Sequence, residues 1–107
     1  MSATLPDRPT LSELQAHLQT TCEEKGWDKN SVAEVFLLFS EEFGELAKAI
    51  RHYTGFKGEK KTLDAQNLEE EFADVLNYLM DLANRFEVDL EAAYRAKSAK
   101  NESRVWE

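Results

Sequence analysis

Two long segments of the sequence carry apolar residues at helical spacing, and this pattern constrains the fold more than any other feature. Within each segment the apolar residues recur every three or four positions, so they fall on one stripe of a helix. We expect both stripes to face the core of the chain. The stripe residues are Val32, Val35, Phe36, Phe39, Phe43, Leu46 and Ile50 in the first segment, and Leu68, Phe72, Val75, Leu76, Leu79, Leu82 and Ala83 in the second.

Signals for helix ends divide the chain into four helices. The first helix should begin after Thr10, which forms a capping box with Glu13. The second should begin after Ser31, which has the same spacing to Glu34, or after Asn30 as an alternative cap. The first helix should end near Lys25, before Gly26. A third is expected over residues 64–86, and a fourth, capped by Asp89, should end near Asn101. No stretch has the pattern of a strand. These signals predict an all-α helical bundle of four main helices, in which the two long central ones carry the acidic motifs described below.

The length of 107 residues favours a single domain, and we place it at residues 10–107. Residues 1–9 hold both prolines and little apolar pattern, so we interpret them as a flexible arm. Residues 54–62 interrupt the helical pattern with two glycines and several charges, and should form an exposed connection.

Charge and hydropathy exclude some classes of partner. The formal net charge of −8 argues against nucleic acid, because contacts with its phosphates need a basic face. No apolar run approaches the length of a membrane span, and the first residues lack the apolar core of a signal peptide. The single cysteine, Cys22, cannot form a disulfide within the chain or a cysteine zinc site. The expected location is the cytoplasm, with no membrane partner.

Pairs of carboxylates lie at the edges of both apolar stripes. The first segment contains Glu42 and Glu45, three residues apart, and the second contains Glu71 and Asp74 at the same spacing. Because positions three apart differ by about 60° around a helix, each pair shares a face. If the two helices pack side by side, the four carboxylates converge. Their mutual repulsion then needs either protonation or a divalent cation.

The donor atoms decide which metal such a site would hold. Neither His17 nor His52 lies within one helical turn of the four acids, so the ligands would all be oxygen. Oxygen ligands favour Mg²⁺ or Mn²⁺ over zinc, and the lack of an ExxH pair argues against a di-iron site. The alternative is that the acids lie on solvated helix faces and bind no metal.

Three motifs follow one another along the chain. Residues 41–45 read EExxE, residues 71–74 read ExxD, and KSAKNESR occupies residues 97–104. In this order and at these distances they resemble the MazG-like nucleoside triphosphate pyrophosphohydrolases, an all-α family. The resemblance covers roughly residues 25–104. It implies Mg²⁺-dependent cleavage of a nucleoside triphosphate between the α and β phosphates, which gives a monophosphate and pyrophosphate.

The resemblance also implies roles for individual residues. The implied metal ligands are Glu42, Glu45, Glu71 and Asp74. Glu41 would bind a further metal ion or orient the attacking water. Phosphate contacts are implied for Lys97, Lys100, Asn101 and Arg104. Without the resemblance, Lys97, Lys100 and Arg104 are explained better by the favourable placement of cations near a helix C-terminus. The family usually ends in tyrosine-proline, and the Val105-Trp106 ending here leaves the course of the last residues open.

A nucleoside needs an apolar or aromatic slot with a few polar groups. Trp27 could form one side of this slot, although a lone tryptophan is more often a core anchor. Tyr78 lies on the carboxylate flank and would contact the base or sugar, or alternatively line a helix interface. Asn77 points further round the helix and reaches a nucleotide only if another helix closes that side. The sequence does not specify the base or the sugar.

The two short helices are too small to cover every apolar flank of the long pair, so we predict a homodimer or homotetramer. We expect its contact surface at apolar residues outside the two stripes, which are Leu38, Ala49, Tyr78 and Met80. The predicted function is that of a house-cleaning enzyme of the nucleotide pool. The alternatives are a non-catalytic helical assembly module with a structural cation site, and a related hydrolase that acts on nucleoside diphosphates.

Overall fold

The computed structural model describes residues 4–58 and 65–104. This part of the chain contains four α-helices and no strand, which confirms the all-α prediction. The helices are α1 (Leu11–Lys25), α2 (Val32–Thr54), α3 (Ala65–Arg85) and α4 (Leu90–Ser103). Two short 3₁₀ helices that the sequence did not suggest lie at Trp27–Lys29 and Phe56–Gly58. The predicted start of the third helix at Asp64, the remainder of the connection before it and the Val105-Trp106 ending lie outside the described residues.

Both predicted capping boxes are present at the starts of α1 and α2. The Thr10 hydroxyl accepts a hydrogen bond from the Glu13 backbone N–H at 3.1 Å, and the Glu13 carboxylate accepts one from the Thr10 N–H at 2.9 Å. Ser31 and Glu34 make the same reciprocal pair at 3.1 and 3.0 Å. These bonds satisfy backbone donors that the first turn of a helix leaves unpaired.

The other predicted helix ends are also close to those observed. Gly26 has the left-handed conformation (φ 76°) that ends α1. Asp89 caps α4 by accepting hydrogen bonds from the backbone N–H groups of Glu91 and Ala92. α4 then continues to Ser103, two residues beyond the predicted end at Asn101.

The chain divides into two compact units, Met1–Lys29 with Ala83–Glu107 and Asn30–Leu82. The first unit contains α1 and α4, and the second contains α2 and most of α3. In the first unit, the buried side chain of Gln15 joins α1 to the turn between α3 and α4. Its amide nitrogen donates hydrogen bonds to the Asn84 side-chain oxygen (3.0 Å) and the Val88 carbonyl (2.8 Å), and its oxygen accepts one from the Leu90 N–H (2.8 Å).

Replacing Gln15 with leucine should therefore destabilise the protein. The change keeps the side chain about the same size but leaves two backbone groups and Asn84 without their partner, at a cost of about 2–4 kcal/mol in the free energy of unfolding. Denaturant titration measures this loss, and Gln19→Leu, an exposed position one turn later on α1, is the matched control. Equal stability of the two variants would contradict the role of Gln15.

The burial of the apolar stripes differs from the prediction. Several residues assigned to the core are more than half exposed, among them Phe36 (57%), Phe43 (54%) and Phe72 (54%). Conversely, Ala49 and Met80 were assigned to an intermolecular patch, and both are buried within the chain. The chain buries the edge of the predicted α2 stripe at Val35, together with Ala49 beside it, and leaves Phe36 and Phe43 on the other edge exposed.

Among the described residues, no helix is both long and apolar enough to span a membrane.

Candidate metal centre

Glu42 lies on the side of α2 that the protein buries. Val35, Glu42 and Ala49 are spaced seven residues apart, so they lie within about 40° of one another on the helix. Val35 and Ala49 are both buried, and Glu42 between them is partly buried. The carboxylate is therefore held in an apolar line, where an ionised group loses part of its hydration.

Two carboxylates of α3 meet Glu42 at this place. One side-chain oxygen from each of Glu42, Glu71 and Asp74 lies within 4.8 Å of the other two. Glu71 is partly buried and Asp74 is exposed, so the group is open to solvent on one side. We call these three residues the acidic triad. They come from two motifs about 30 positions apart in the sequence, and the pairing of α2 with α3 brings them together.

The triad is electrostatically unfavourable in the absence of a cation. Burial, followed by the hydrogen bond and negative charge of Glu71 and then the charge of Asp74, raises the pKa of Glu42 from 4.5 to about 7. A second unfavourable feature of the triad is the Oε2 atom of Glu71, which is buried and has no hydrogen-bond partner. Buried oxygens usually have a partner, so this atom is available to a ligand.

This arrangement fits a hard divalent cation. The three donors are carboxylate oxygens, the ligand type that Mg²⁺, Mn²⁺ and Ca²⁺ prefer. A cation would offset the repulsion that raises the pKa of Glu42 and would give the Oε2 atom of Glu71 a partner. Because Asp74 is exposed, water reaches the triad from that side. The geometry therefore supports a metal site that is open to solvent.

Comparison with known proteins agrees with this geometry. A family model described as the MazG nucleotide pyrophosphohydrolase domain matches residues 30–106. The chain belongs to this family. The matched region contains all three residues of the acidic triad and both motifs that supply them.

One curated relative is similar over most of its length. The uncharacterized protein YpjD of Bacillus subtilis (strain 168) is 34% identical over 85 residues, which cover 79% of this chain and 77% of that protein. The search of solved structures found no match. Membership of the family is thus supported by the family model, a similar protein and the predicted all-α fold.

Two of the acids implied by the MazG resemblance lie outside the triad. Glu45 is exposed and is not part of the group that converges. It lies about 60° around α2 from Glu42 and about 40° beyond Ala49. Glu41 is exposed as well. The structure thus brings together three of the four expected ligands, and the roles of Glu45 and Glu41 remain predictions.

Tyr78 lies close to the triad, as its position on the carboxylate flank suggested. Burial first, and then the negative charges of Glu42 and Asp74, raise the pKa of its phenol. The phenol therefore stays protonated and can donate a hydrogen bond. Asp81 also contributes to this shift, and the sequence analysis did not select it. Its position seven residues after Asp74, on the same line of α3, was the signal that could have identified it.

The remaining predicted site residues have weaker support. Asn77 is exposed and is not one of the three residues that converge. Trp27 belongs to the unit that contains α1 and α4. It is 49% exposed, with the Lys25 ammonium 5.5 Å from its ring centre. The exposed residues at the end of α4 belong to the same unit; they are Lys97, Lys100, Asn101 and Arg104. A role for these residues in binding substrate remains a prediction.

The raised pKa of Glu42 predicts how the stability of the metal-free protein changes with pH. The folded-state pKa of about 7 exceeds the ordinary value of 4.5, so Glu42 stabilises the fold most below pH 4.5 and loses this contribution as the pH rises through 7. Asp89 acts in the opposite direction, because hydrogen bonds from the Ala92 backbone and Ser12 lower its pKa below 3.8. The stability that Asp89 contributes is lost only when the pH falls through its lowered pKa.

In the presence of a chelator, the melting temperature should fall between about pH 5 and pH 8. Glutamine at position 42 is neutral throughout this range, so Glu42→Gln should flatten the curve. Thermal scans of both proteins in matched buffers measure the difference. A wild-type melting temperature that stays level or rises over this window would contradict the electrostatic strain assigned to the triad.

Proposed function

We propose that this chain hydrolyses a ribo- or deoxyribonucleoside triphosphate between its α and β phosphates, with Mg²⁺ as the cofactor and Mn²⁺ as a substitute. The products are a nucleoside monophosphate and pyrophosphate. The observation that carries the proposal is the convergence of Glu42, Glu71 and Asp74 within 4.8 Å. Membership of a pyrophosphohydrolase family supports the reaction type.

The acidic triad would hold the cation in this reaction. At such a site a divalent cation supplies neutralisation of charge on phosphate oxygens and activation of water. Glu42, Glu71 and Asp74 provide carboxylate oxygens from two helices, so the position of the cation is fixed by the fold rather than by a loop. Glu45 would be the fourth carboxylate ligand only if its side chain turns toward the triad, and we keep it as a candidate ligand.

Other residues of the chain would position water and substrate. Glu41 precedes Glu42 directly and is exposed, so its carboxylate can orient the attacking water. The neutral phenol of Tyr78 can donate a hydrogen bond to the sugar or base. Lys97, Lys100 and Arg104 can offset the charge that pyrophosphate gains as it leaves. Asn101, Trp27 and Asn77 are further candidates for substrate contacts.

The proposed role is the removal of unwanted nucleotides from the cytoplasmic pool. The experiment that tests the reaction is incubation of the purified protein with a panel of nucleoside triphosphates and Mg²⁺, with the products identified by phosphorus NMR. We expect monophosphate and pyrophosphate, and no turnover by Asp74→Asn. Release of inorganic phosphate would show that a different bond is cleaved. Activity only on diphosphates would favour the alternative of a related hydrolase that acts on nucleoside diphosphates. A protein that binds Mg²⁺ without turnover on any nucleotide would be the non-catalytic module.

The basic end of α4 gives a separate prediction. Replacing both Lys100 and Arg104 with alanine should lower kcat/KM by at least about tenfold, because a charge-assisted hydrogen bond contributes about 1.5–3 kcal/mol. Stability should fall by only about 0.3–1 kcal/mol, the usual contribution of an exposed cation near a helix end. Arg95→Ala is the control, since Arg95 is a 78% exposed cation of the same helix. Equal kinetics in the control and the double variant would show that these cations are only a solvated helix end.

A further inference from the structure

Arg85, at the end of α3, contacts the turn that follows α1. Its guanidinium Nη2 group donates a hydrogen bond to the backbone carbonyl of Trp27 at 3.2 Å, across 58 positions of the sequence. Trp27 begins the short 3₁₀ helix after α1, and Arg85 is the last residue of α3. Both residues belong to the compact unit that contains α1 and α4. The reaction proposed above gives Arg85 no role.

The backbone that carries Arg85 is anchored to α1. Asn84, the preceding residue, accepts a hydrogen bond from the side-chain amide of Gln15 at 3.0 Å, and its own amide donates one to the Gln15 backbone carbonyl at 3.0 Å. Gln15 is buried, so water competes weakly for these bonds. Arg85 therefore extends toward Trp27 from a fixed part of the fold, and its hydrogen bond restrains the turn that follows α1.

A second cation contacts the indole of Trp27. The Lys25 ammonium lies 5.5 Å from the ring centre, within the range of cation–π attraction. A half-exposed tryptophan is by itself ordinary on a protein surface. Trp27 differs because one cation binds its backbone carbonyl and another lies over its ring. The residue is 49% exposed, so these contacts restrain it and still leave about half of its surface accessible.

We propose that Arg85 is a positioning residue for the nucleoside. By holding the carbonyl of Trp27, it fixes the turn so that the accessible part of the indole is ready to stack on a nucleobase. The inference rests on the proposed function, in which Trp27 is a candidate for substrate contacts. Aromatic side chains stack on every base, and a stacking surface that is ordered before binding avoids the loss of side-chain freedom that binding otherwise costs.

The alternative is that Arg85 only stabilises the fold. Its hydrogen bond to Trp27 is exposed to solvent, so water can replace the guanidinium and the loss of stability should be small. Ordering one side chain on binding, in contrast, changes affinity by about two- to tenfold. A positioning role therefore appears in the binding of the nucleoside and in the mobility of the indole, and a purely structural role appears in neither.

Tryptophan fluorescence measures the position of the indole without any turnover. The chain has two tryptophans, so Trp106→Phe leaves Trp27 as the single fluorophore. In this background Arg85→Ala should increase quenching of Trp27 by acrylamide toward that of a fully exposed indole, and should shift its emission to longer wavelength. Arg85→Lys keeps the charge and a donor, and should restore part of both signals. Arg95→Ala is the control, because Arg95 is a 78% exposed cation of the same unit.

Steady-state kinetics measure the effect on the nucleoside. With Mg²⁺ and the nucleoside triphosphate of highest turnover in the panel, Arg85→Ala should raise KM about two- to tenfold and leave kcat within about twofold. Trp27→Ala should raise KM as well. In a protein that already carries Trp27→Ala, Arg85→Ala should have no further effect on KM, because the residue through which Arg85 acts is absent. Arg95→Ala should keep the wild-type KM.

Each part of the test can overturn the inference. Equal quenching of Trp27 in Arg85→Ala and Arg95→Ala, or an unchanged KM in Arg85→Ala, would show that Arg85 does not position Trp27. The same increase of KM with and without Trp27→Ala would show that Arg85 acts independently of Trp27. A wild-type protein that turns over no nucleotide would instead overturn the proposed function, and the nucleoside role of Arg85 with it. Circular dichroism confirms that each variant is helical. If Arg85→Ala does not fold, Arg85→Met, which keeps an aliphatic stem but lacks the donor, provides the same test.

Discussion

Replacing Glu71 with glutamine should abolish turnover and at the same time raise the melting temperature of the metal-free protein. The two effects have one cause, since the carboxylate that would bind the cation also repels its neighbours. Loss of groups that merely orient metal ligands lowers activity about 10–100-fold, so loss of a ligand should exceed about 100-fold. A substitution that abolished turnover by damaging the fold would instead lower the melting temperature.

The gain in stability follows from the environment of Glu71. Its negative charge is the chief electrostatic partner that raises the pKa of Glu42, and its Oε2 atom is buried without a hydrogen-bond partner. A glutamine amide removes the charge and can donate a hydrogen bond to the carboxylate of Glu42. Like charges about 4 Å apart near a protein surface repel by about 1–4 kcal/mol, and partial exposure favours the lower end. A change of about 1 kcal/mol corresponds to roughly 4–8 °C in a domain of this size.

The experiment compares Glu71→Gln with Glu69→Gln near pH 8, where Glu42 is ionised and the repulsion is greatest. Glu69 is an exposed acid of the same helix, so its change alters the net charge equally without touching the triad. Initial rates give the activity, and thermal scans in chelator give the stability. If Glu71→Gln remained active, or if both variants gained equal stability, the triad would not be the metal centre.

The ends of the helices could be predicted from sequence because capping is local. Thr10 with Glu13 and Ser31 with Glu34 need only their own backbone to form the observed hydrogen bonds. The same holds for Gly26, whose positive φ no other nearby residue would adopt as easily. None of these interactions depends on the tertiary packing of the rest of the chain.

The burial of the apolar stripes could not be predicted in the same way. Spacing identifies an apolar face of α2, but it does not show which neighbour covers that face. The chain buries the line of Val35 and Ala49 and leaves Phe36 and Phe43 exposed. Helical spacing therefore predicts an apolar face but not which part of that face one chain buries.

The candidate site shows the same limit at the level of single residues. The spacing of the motifs predicted that both Glu42 and Glu45 contribute to the site, because positions three apart share one face of a helix. Only the rotation of α2 about its axis separates them, and tertiary packing sets that rotation. Glu42 lies between the buried Val35 and Ala49 and meets α3, whereas Glu45 is exposed and is not one of the three acids that converge.

Mg²⁺ should raise the melting temperature of the wild-type protein strongly at neutral or higher pH. The cation binds the folded state, in which three carboxylates converge within 4.8 Å, and gains little from the unfolded chain, in which they are far apart. At a free concentration 100 times the dissociation constant, such binding stabilises by about 2.7 kcal/mol. For a domain of this size that is roughly 10 °C or more.

The size of this shift should depend on the identity of the cation and on pH. Mn²⁺ should act like Mg²⁺ because both prefer carboxylate oxygens, whereas Na⁺ at equal ionic strength should have little effect. The Mg²⁺ shift should shrink below pH 7, since a proton on Glu42, whose pKa is raised to about 7, competes with the cation. Glu71→Gln and Asp74→Asn should lose most of the shift, and Glu69→Gln should keep it. A wild-type protein that gains no stability from Mg²⁺ above pH 7 would show that the acidic triad is not a cation site.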